Sequence, residues 1–104
     1  MKVRERGYIG DLSIERVERM AQVLRLLAHP HRLKIVEILE AEREAPVHQI
    51  AGAVGLAQAA TSQHLNQMKR VGLVDAFRRG KEVWYAIGDR RSIKILNCIR
   101  TTEK

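Results

Sequence analysis

The stretch VHQIAGAVGLAQAATSQHLNQMKRVGLV, Val47 to Val74, decides the fold. Its second part, from Ala57, is small and polar at the front, apolar at helical spacing behind, and closes at Gly72. Thr61, Leu65 and Met68 recur at i, i+4 and i+7, which places them on one face of a helix. Gln58, Ala59, Ser62, Gln63 and Asn66 then project the other way. The first part repeats the pattern in short form with Val47, Ile50, Ala51 and Val54. Gly55 follows where a helix end favours a residue without Cβ. Two short helices joined by a tight, glycine-containing turn are the signal of a helix-turn-helix.

Downstream, the period changes. Leu73, Val74 and Phe77 lead into the basic turn RRGK, and EVWYAI beyond it is rich in β-forming residues. This reads as a β-hairpin. A hairpin directly after the second helix turns a helix-turn-helix into a winged helix. From Asp89 the spacing is helical again, with Ile93, Leu96, Ile99 and Arg100.

Upstream, IERVERMAQVLRLLA carries a wide apolar stripe that includes Val17, Met20, Val23, Leu24 and Leu27. Ser13 can cap it, although Arg16 stands where a capping-box glutamate would help. Pro30 ends that run and sits where proline is tolerated before the next helix, HRLKIVEILEAERE. There, Leu33, Ile35, Val36, Ile38 and Leu39 are apolar on more than one side, so this helix is expected at the centre. The expected order is α-α-α-α-β-β-α, a mainly α winged helix-turn-helix with a small β-hairpin. Residues 1–12, basic and broken by Gly7 and Gly10, read as a flexible arm; residues 13–104 read as one DNA-binding and dimerisation domain.

Composition agrees with this reading. A chain of 104 residues makes one compact domain. Hydrophobic residues at 45% permit a core, and aromatics at 4% leave it to Leu, Ile, Val and Ala. The net charge of +7 points to a polyanionic partner. No run approaches the roughly 18 apolar residues that span a bilayer, and the N-terminus lacks a signal-peptide apolar core. A cytoplasmic protein without a membrane role is therefore expected. With one cysteine, Cys98, neither an intrachain disulfide nor a cysteine-based metal site can be built within one chain.

The polar face of the second helix suits a major groove. Glutamine can bond both edge atoms of adenine, serine can reach base or phosphate, and alanine can touch a thymine methyl. The DNA-reading set is Gln58, Ala59, Ser62, Gln63 and His64. Arg78, Arg79 and Lys81 make the hairpin tip a phosphate or minor-groove probe. The alternative is a winged helix that binds a protein partner without reading DNA; the basic tip and net charge argue against it. The chain carries no paired carboxylates in a pocket-forming context, no glycine-rich phosphate loop and no Ser-His-Asp arrangement beyond chance, so no enzyme is expected.

The combined motifs resemble the ArsR/SmtB family of bacterial transcriptional repressors. LAHPHRLKIVEIL resembles the family's second helix, Val47–Val74 its helix-turn-helix, and RRGKEVWYAI its wing. The resemblance runs from about Val17 to Ile99 and implies a homodimer packed through its first and last helices. Val17, Met20, Leu24, Ile95, Cys98 and Ile99 are then the interface. It also implies two recognition helices about one DNA turn apart on an inverted repeat, and repression released by an inducer. One departure falls on the recognition helix: Ala57 replaces the usual serine and removes the natural N-cap. Thr61 also stands where the family often has Val or Ile.

The family's sensor sites do not carry over. Where one class has Cys-X-Cys, this chain has Pro46, Val47 and His48. Where another has Asp-X-His on the last helix, Asp89 is followed by Arg90 and Arg91, and a cation there opposes a metal. His29 and His31 alone are half of a nitrogen-ligand site and read more simply as helix-terminal or surface residues. No cofactor and no metal are therefore expected. Apolar neighbours suggest that Cys98 is a buried, inert thiol. Its position on a dimer helix leaves open a redox role, as a disulfide between two copies or an oxidised thiol.

Overall fold

The computed structural model describes residues 10–102, so most of the expected arm, residues 1–9, lies outside the described residues. The elements are α1 (Ile14–Leu27), α2 (Pro30–Glu42), β1 (Glu44–Pro46), α3 (Val47–Val54), α4 (Gln58–Arg70), β2 (Val74–Arg79), β3 (Glu82–Ile87) and α5 (Arg91–Thr102). All five helices and both hairpin strands fall where the periodicities put them. The order differs by one element. Glu44, expected at the tail of the second helix, forms with Ala45 and Pro46 a short strand that pairs antiparallel with β3.

Local patterning could not reveal β1, because three residues carry no readable period and the strand exists only through pairing with a distant segment. The sheet order is β1-β3-β2. That leaves β1 at an edge, where a proline without an N–H is tolerated. Arg43 turns the chain out of α2 with φ 72°, the only non-glycine residue at positive φ among the described residues.

Each helix end has a chemical reason. The Ser13 hydroxyl accepts the Arg16 N–H at 3.2 Å and starts α1. His29 caps α2 with Pro30 at its first position. Gly55 closes α3 at φ 88°, and the N–H groups of Gly55 and Leu56 both reach the Ala51 carbonyl, at 2.9 and 3.1 Å. That left-handed turn sends the chain straight into α4.

As its pattern implies, α2 is central: Ile35, Val36, Ile38 and Leu39 are buried in it. Ile50, Leu65, Met68, Leu73, Val74 and Tyr85 close around them. Leu65 and Met68 are fully buried and seat α4 on this core. Burial of each contributes about 1.5–3 kcal/mol. Thr61, the third member of that face, is also fully buried. Its hydroxyl donates to the Ala57 carbonyl at 2.9 Å, so a polar side chain is accommodated without an unpaired donor. On the far side of α2, Ile93 and Leu96 dock α5, and the Arg100 guanidinium donates to the Glu40 carboxylate at 3.0 Å.

Candidate nucleic-acid interface

Anchored by Thr61, Leu65 and Met68, α4 turns Gln58, Ala59, Gln63 and Asn66 to solvent and leaves Ser62 half-buried at the edge. Its first turn is open. Ala57 adopts the extended cap conformation, φ −63° and ψ 153°, but supplies no side-chain hydrogen bond. The first N–H groups of α4 therefore face water or an anion, as a phosphate site requires.

The wing meets this helix across a cleft of about 470 Å³ lined by Gln58, Ser62, His48, Lys81, Glu82 and Tyr85, among others. The cleft thus brings together Gln58 and Ser62 of the recognition set and Lys81 of the wing set. It also contains a pair that sequence reasoning missed. The Nδ1 atom of His48 lies 3.1 Å from the Glu82 carboxylate, joining the start of α3 to β3. Burial pushes the Tyr85 phenol up from its ordinary value, so its hydroxyl stays protonated.

The three wing cations are not equivalent. In β2, paired Arg79 opposite Glu82, the chain reverses through Gly80 and Lys81. Arg78 and Lys81 are exposed. Arg79 is exposed too, but its guanidinium lies over the Trp84 ring, 4.4 Å from its centroid, and 5.3 Å from that of Phe77. It also pairs with Glu44 of β1. Arg79 therefore fastens the wing to its own sheet, a role invisible before β1 was known.

His64, expected in the DNA-reading set, is engaged with other side chains of the protein. Its ring points toward the start of α2, not toward the cleft, and its Nδ1 accepts the Arg32 Nε–H at 3.0 Å. The reason is helical position: His64 precedes the buried Leu65 and falls beside the seated face. Burial lowers its pKa, with His29, Arg32 and His31 adding to the effect.

Cys98 also differs from expectation: it is exposed. The buried stripe of α5 runs through Ile93 and Leu96, and Cys98 lies off that stripe. Val17, Leu24 and Ile99 are exposed at 42%, 46% and 40%, with Met20 and Ile95 half-buried. Exposed aliphatic side chains of this size on α1 and α5 have no covering partner among the described residues. Beside it, a cavity of about 310 Å³ is lined by Leu12, Val17, Met20, Leu24 and Arg91. Arg91 is fixed by Asp89, whose carboxylate accepts from both its backbone and its guanidinium nitrogens. That hydrogen bonding holds the Asp89 carboxyl below its ordinary range, and it occupies the one residue that matched the family's last-helix metal ligands.

Comparison with known proteins follows the same lines. The family model described as bacterial regulatory protein, arsR family, matches residues 29–76. The transcriptional repressor PagR of Bacillus anthracis is 39% identical over 83 residues, covering 77% of this chain and 83% of PagR. The chain belongs to the arsR family. The crystal structure of PagR aligns with a TM-score of 0.75 and 32% identity over 84% of this chain and 99% of that one. The solution structure of a homodimeric winged helix-turn-helix DNA-binding domain from Mycobacterium bovis gives 0.75 at 29% identity, over 90% and 86%. The cadmium resistance transcriptional regulatory protein CadC of Listeria innocua is 44% identical over 73 residues, 70% of this chain. The chain spans only 59% of the length of that relative. Among the described residues, no helix is long and apolar enough to cross a membrane.

Proposed function

We propose that this protein is a sequence-specific, DNA-binding transcriptional repressor that acts in the cytoplasm as a homodimer on an inverted repeat. The observation that carries the reading is the shared cleft of Gln58, Ser62 and Lys81. One concave surface joins groove-reading side chains to a cationic wing, beside the uncapped, anion-accepting start of α4. Gln58 and Ser62 contact base edges, while Arg78 and Lys81 hold the phosphate backbone. The apolar face of α1 and α5, through Val17, Met20, Leu24, Ile95 and Ile99, pairs the two copies. The names of the relatives support a repressor role, and a family of transcriptional regulators supports a non-enzymatic one.

The test is fluorescence anisotropy on a labelled promoter fragment at several salt concentrations. Gln58→Ala is expected to change base preference at one position of each half-site, by about 1–3 kcal/mol. Lys81→Ala is expected to weaken binding to all sequences alike and to reduce the salt slope by about one. Intact binding in both variants would place the DNA elsewhere.

A further inference from the structure

His29, His31 and His64 meet where α2 begins beside α4. The His29 and His64 rings are 4.5 Å apart between centroids, His29 and His31 5.5 Å, and His31 and His64 6.0 Å. One ring nitrogen from each can be chosen so that all lie within 4.8 Å of one another, and all three residues are half-buried. Three imidazoles on one tetrahedral ion, with metal–nitrogen bonds of about 2.0–2.1 Å, hold their centroids roughly 5 Å apart. The observed spacings bracket that value, so the three rings already stand close to the arrangement one ion would impose. Among the described residues this is the one group of three His, Cys or carboxylate side chains gathered so closely. With no carboxylate or thiolate in the set, its chemistry suits zinc, nickel or copper and not magnesium or calcium.

Arg32 sets the terms of binding. Its Nε–H donates to His64 Nδ1 at 3.0 Å, while another guanidinium nitrogen donates to the Leu26 carbonyl at 3.3 Å. An imidazole that accepts at Nδ1 carries its proton on Nε2. To give Nε2 to an ion, His64 must place its proton on Nδ1, and Arg32 has no lone pair to receive it. To give Nδ1, it must lose Arg32 altogether. In either case the Arg32–His64 hydrogen bond breaks. The same conflict exists in weaker form at His29, whose Nδ1 accepts the His31 N–H at 3.3 Å.

We propose that His29, His31 and His64 form a three-nitrogen site for a divalent transition ion, completed by water, and that the ion displaces the Arg32 guanidinium from His64. The expectation of no metal treated His29 and His31 as a lone pair; the fold supplies the third nitrogen from α4. The ion exchanges a hydrogen-bonded tether of α4 for a coordinate one, and α4 is the helix whose front lines the cleft. The site does not depend on the DNA-binding reading.

The experiment is titration of the full chain with Zn2+ against a competing chelator, with Co2+ absorption reporting a nitrogen-bound, low-coordinate ion. The expected result is one ion per protomer. His31→Ala and His31→Gln, both checked for native circular dichroism, are expected to bind at least tenfold more weakly. Arg32→Gln, whose amide oxygen can accept the Nδ1 proton of His64, is expected to bind about tenfold more tightly, within the range seen for residues that orient metal-ligating histidines. His48→Ala is expected to bind as the unaltered chain does. Nitrogen-resolved imidazole NMR is expected to show His64 Nδ1 ceasing to accept from Arg32 when Zn2+ is added, becoming either protonated or bound to the ion. No uptake by the unaltered chain, or equal uptake by both His31 variants, overturns the site. Looser binding by folded Arg32→Gln, or a His64 Nδ1 signal unchanged by Zn2+, overturns the role of Arg32.

Discussion

Replacing Ala57 with serine tests the open front of α4 directly. Ala57 already holds the backbone of an N-cap, φ −63° and ψ 153°. The same chain contains the template for what a hydroxyl would do there: Ser13, at φ −71° and ψ 157°, accepts the N–H of Arg16 three residues on. The corresponding donor in α4 is the Ala60 N–H, and no backbone rearrangement is needed to reach it. Such a cap stabilises a helix by about 0.5–2 kcal/mol. At about 1.4 kcal/mol per tenfold, that is roughly a twofold to thirtyfold change in the opening equilibrium of the first turn. Hydrogen exchange of the amides from Ala59 to Thr61 should slow by that factor in Ala57→Ser and hardly change in Ala57→Val, which adds bulk but no acceptor. If the turn is a phosphate site, operator DNA should slow the same amides in the unaltered chain. A serine variant whose first turn exchanges as fast as before would show that α4 is already closed by other means. First-turn amides equally protected with and without operator would remove the reason for linking that turn to DNA.

Three further outcomes follow from the packing and the titrating groups. Gly88→Ala would place a Cβ 2.7 Å from the Gly72 carbonyl oxygen, a backbone atom that cannot swing aside; a loss of at least about 1 kcal/mol in denaturant unfolding is expected, in the range of overpacking changes, and unchanged stability would contradict that contact. Leu24→Glu puts charge on the exposed face of α1 and is expected to give monomers in analytical ultracentrifugation with native circular dichroism; persistent dimers would move the interface elsewhere. His64 has a folded pKa below its ordinary value of 6.5, so the unfolded chain binds the proton more readily. Its contribution to stability is thus complete above about pH 6.5 and is lost as pH falls through that value towards the folded pKa. Unfolding at pH 7.5 and 5.5 should show a smaller drop for His64→Gln than for the unaltered chain, and an equal drop would assign the loss to other groups.

The sequence by itself determined most of the architecture, because helices and hairpins write their periods locally. Thr61, Leu65 and Met68 declared the buried face of α4, and with it the outward set Gln58, Ala59 and Gln63. Gly55 declared the turn, and the basic RRGK the wing. The missing cap at Ala57 was visible as a single residue type at a known helix boundary. What the tertiary structure alone decided are relations between segments distant in the chain. The strand β1 exists because β3 pairs with it, and only then does Glu44 reach Arg79 and take it from the list of free cations. Cys98 was read from its neighbours in sequence, but exposure depends on which face of α5 meets α2, so it emerged exposed. His64 was assigned by its place on α4; its ring is assigned by Arg32, His29 and His31. Periodicity tells a side chain which way to point. Only the packing of α2 against α4 tells it what is there.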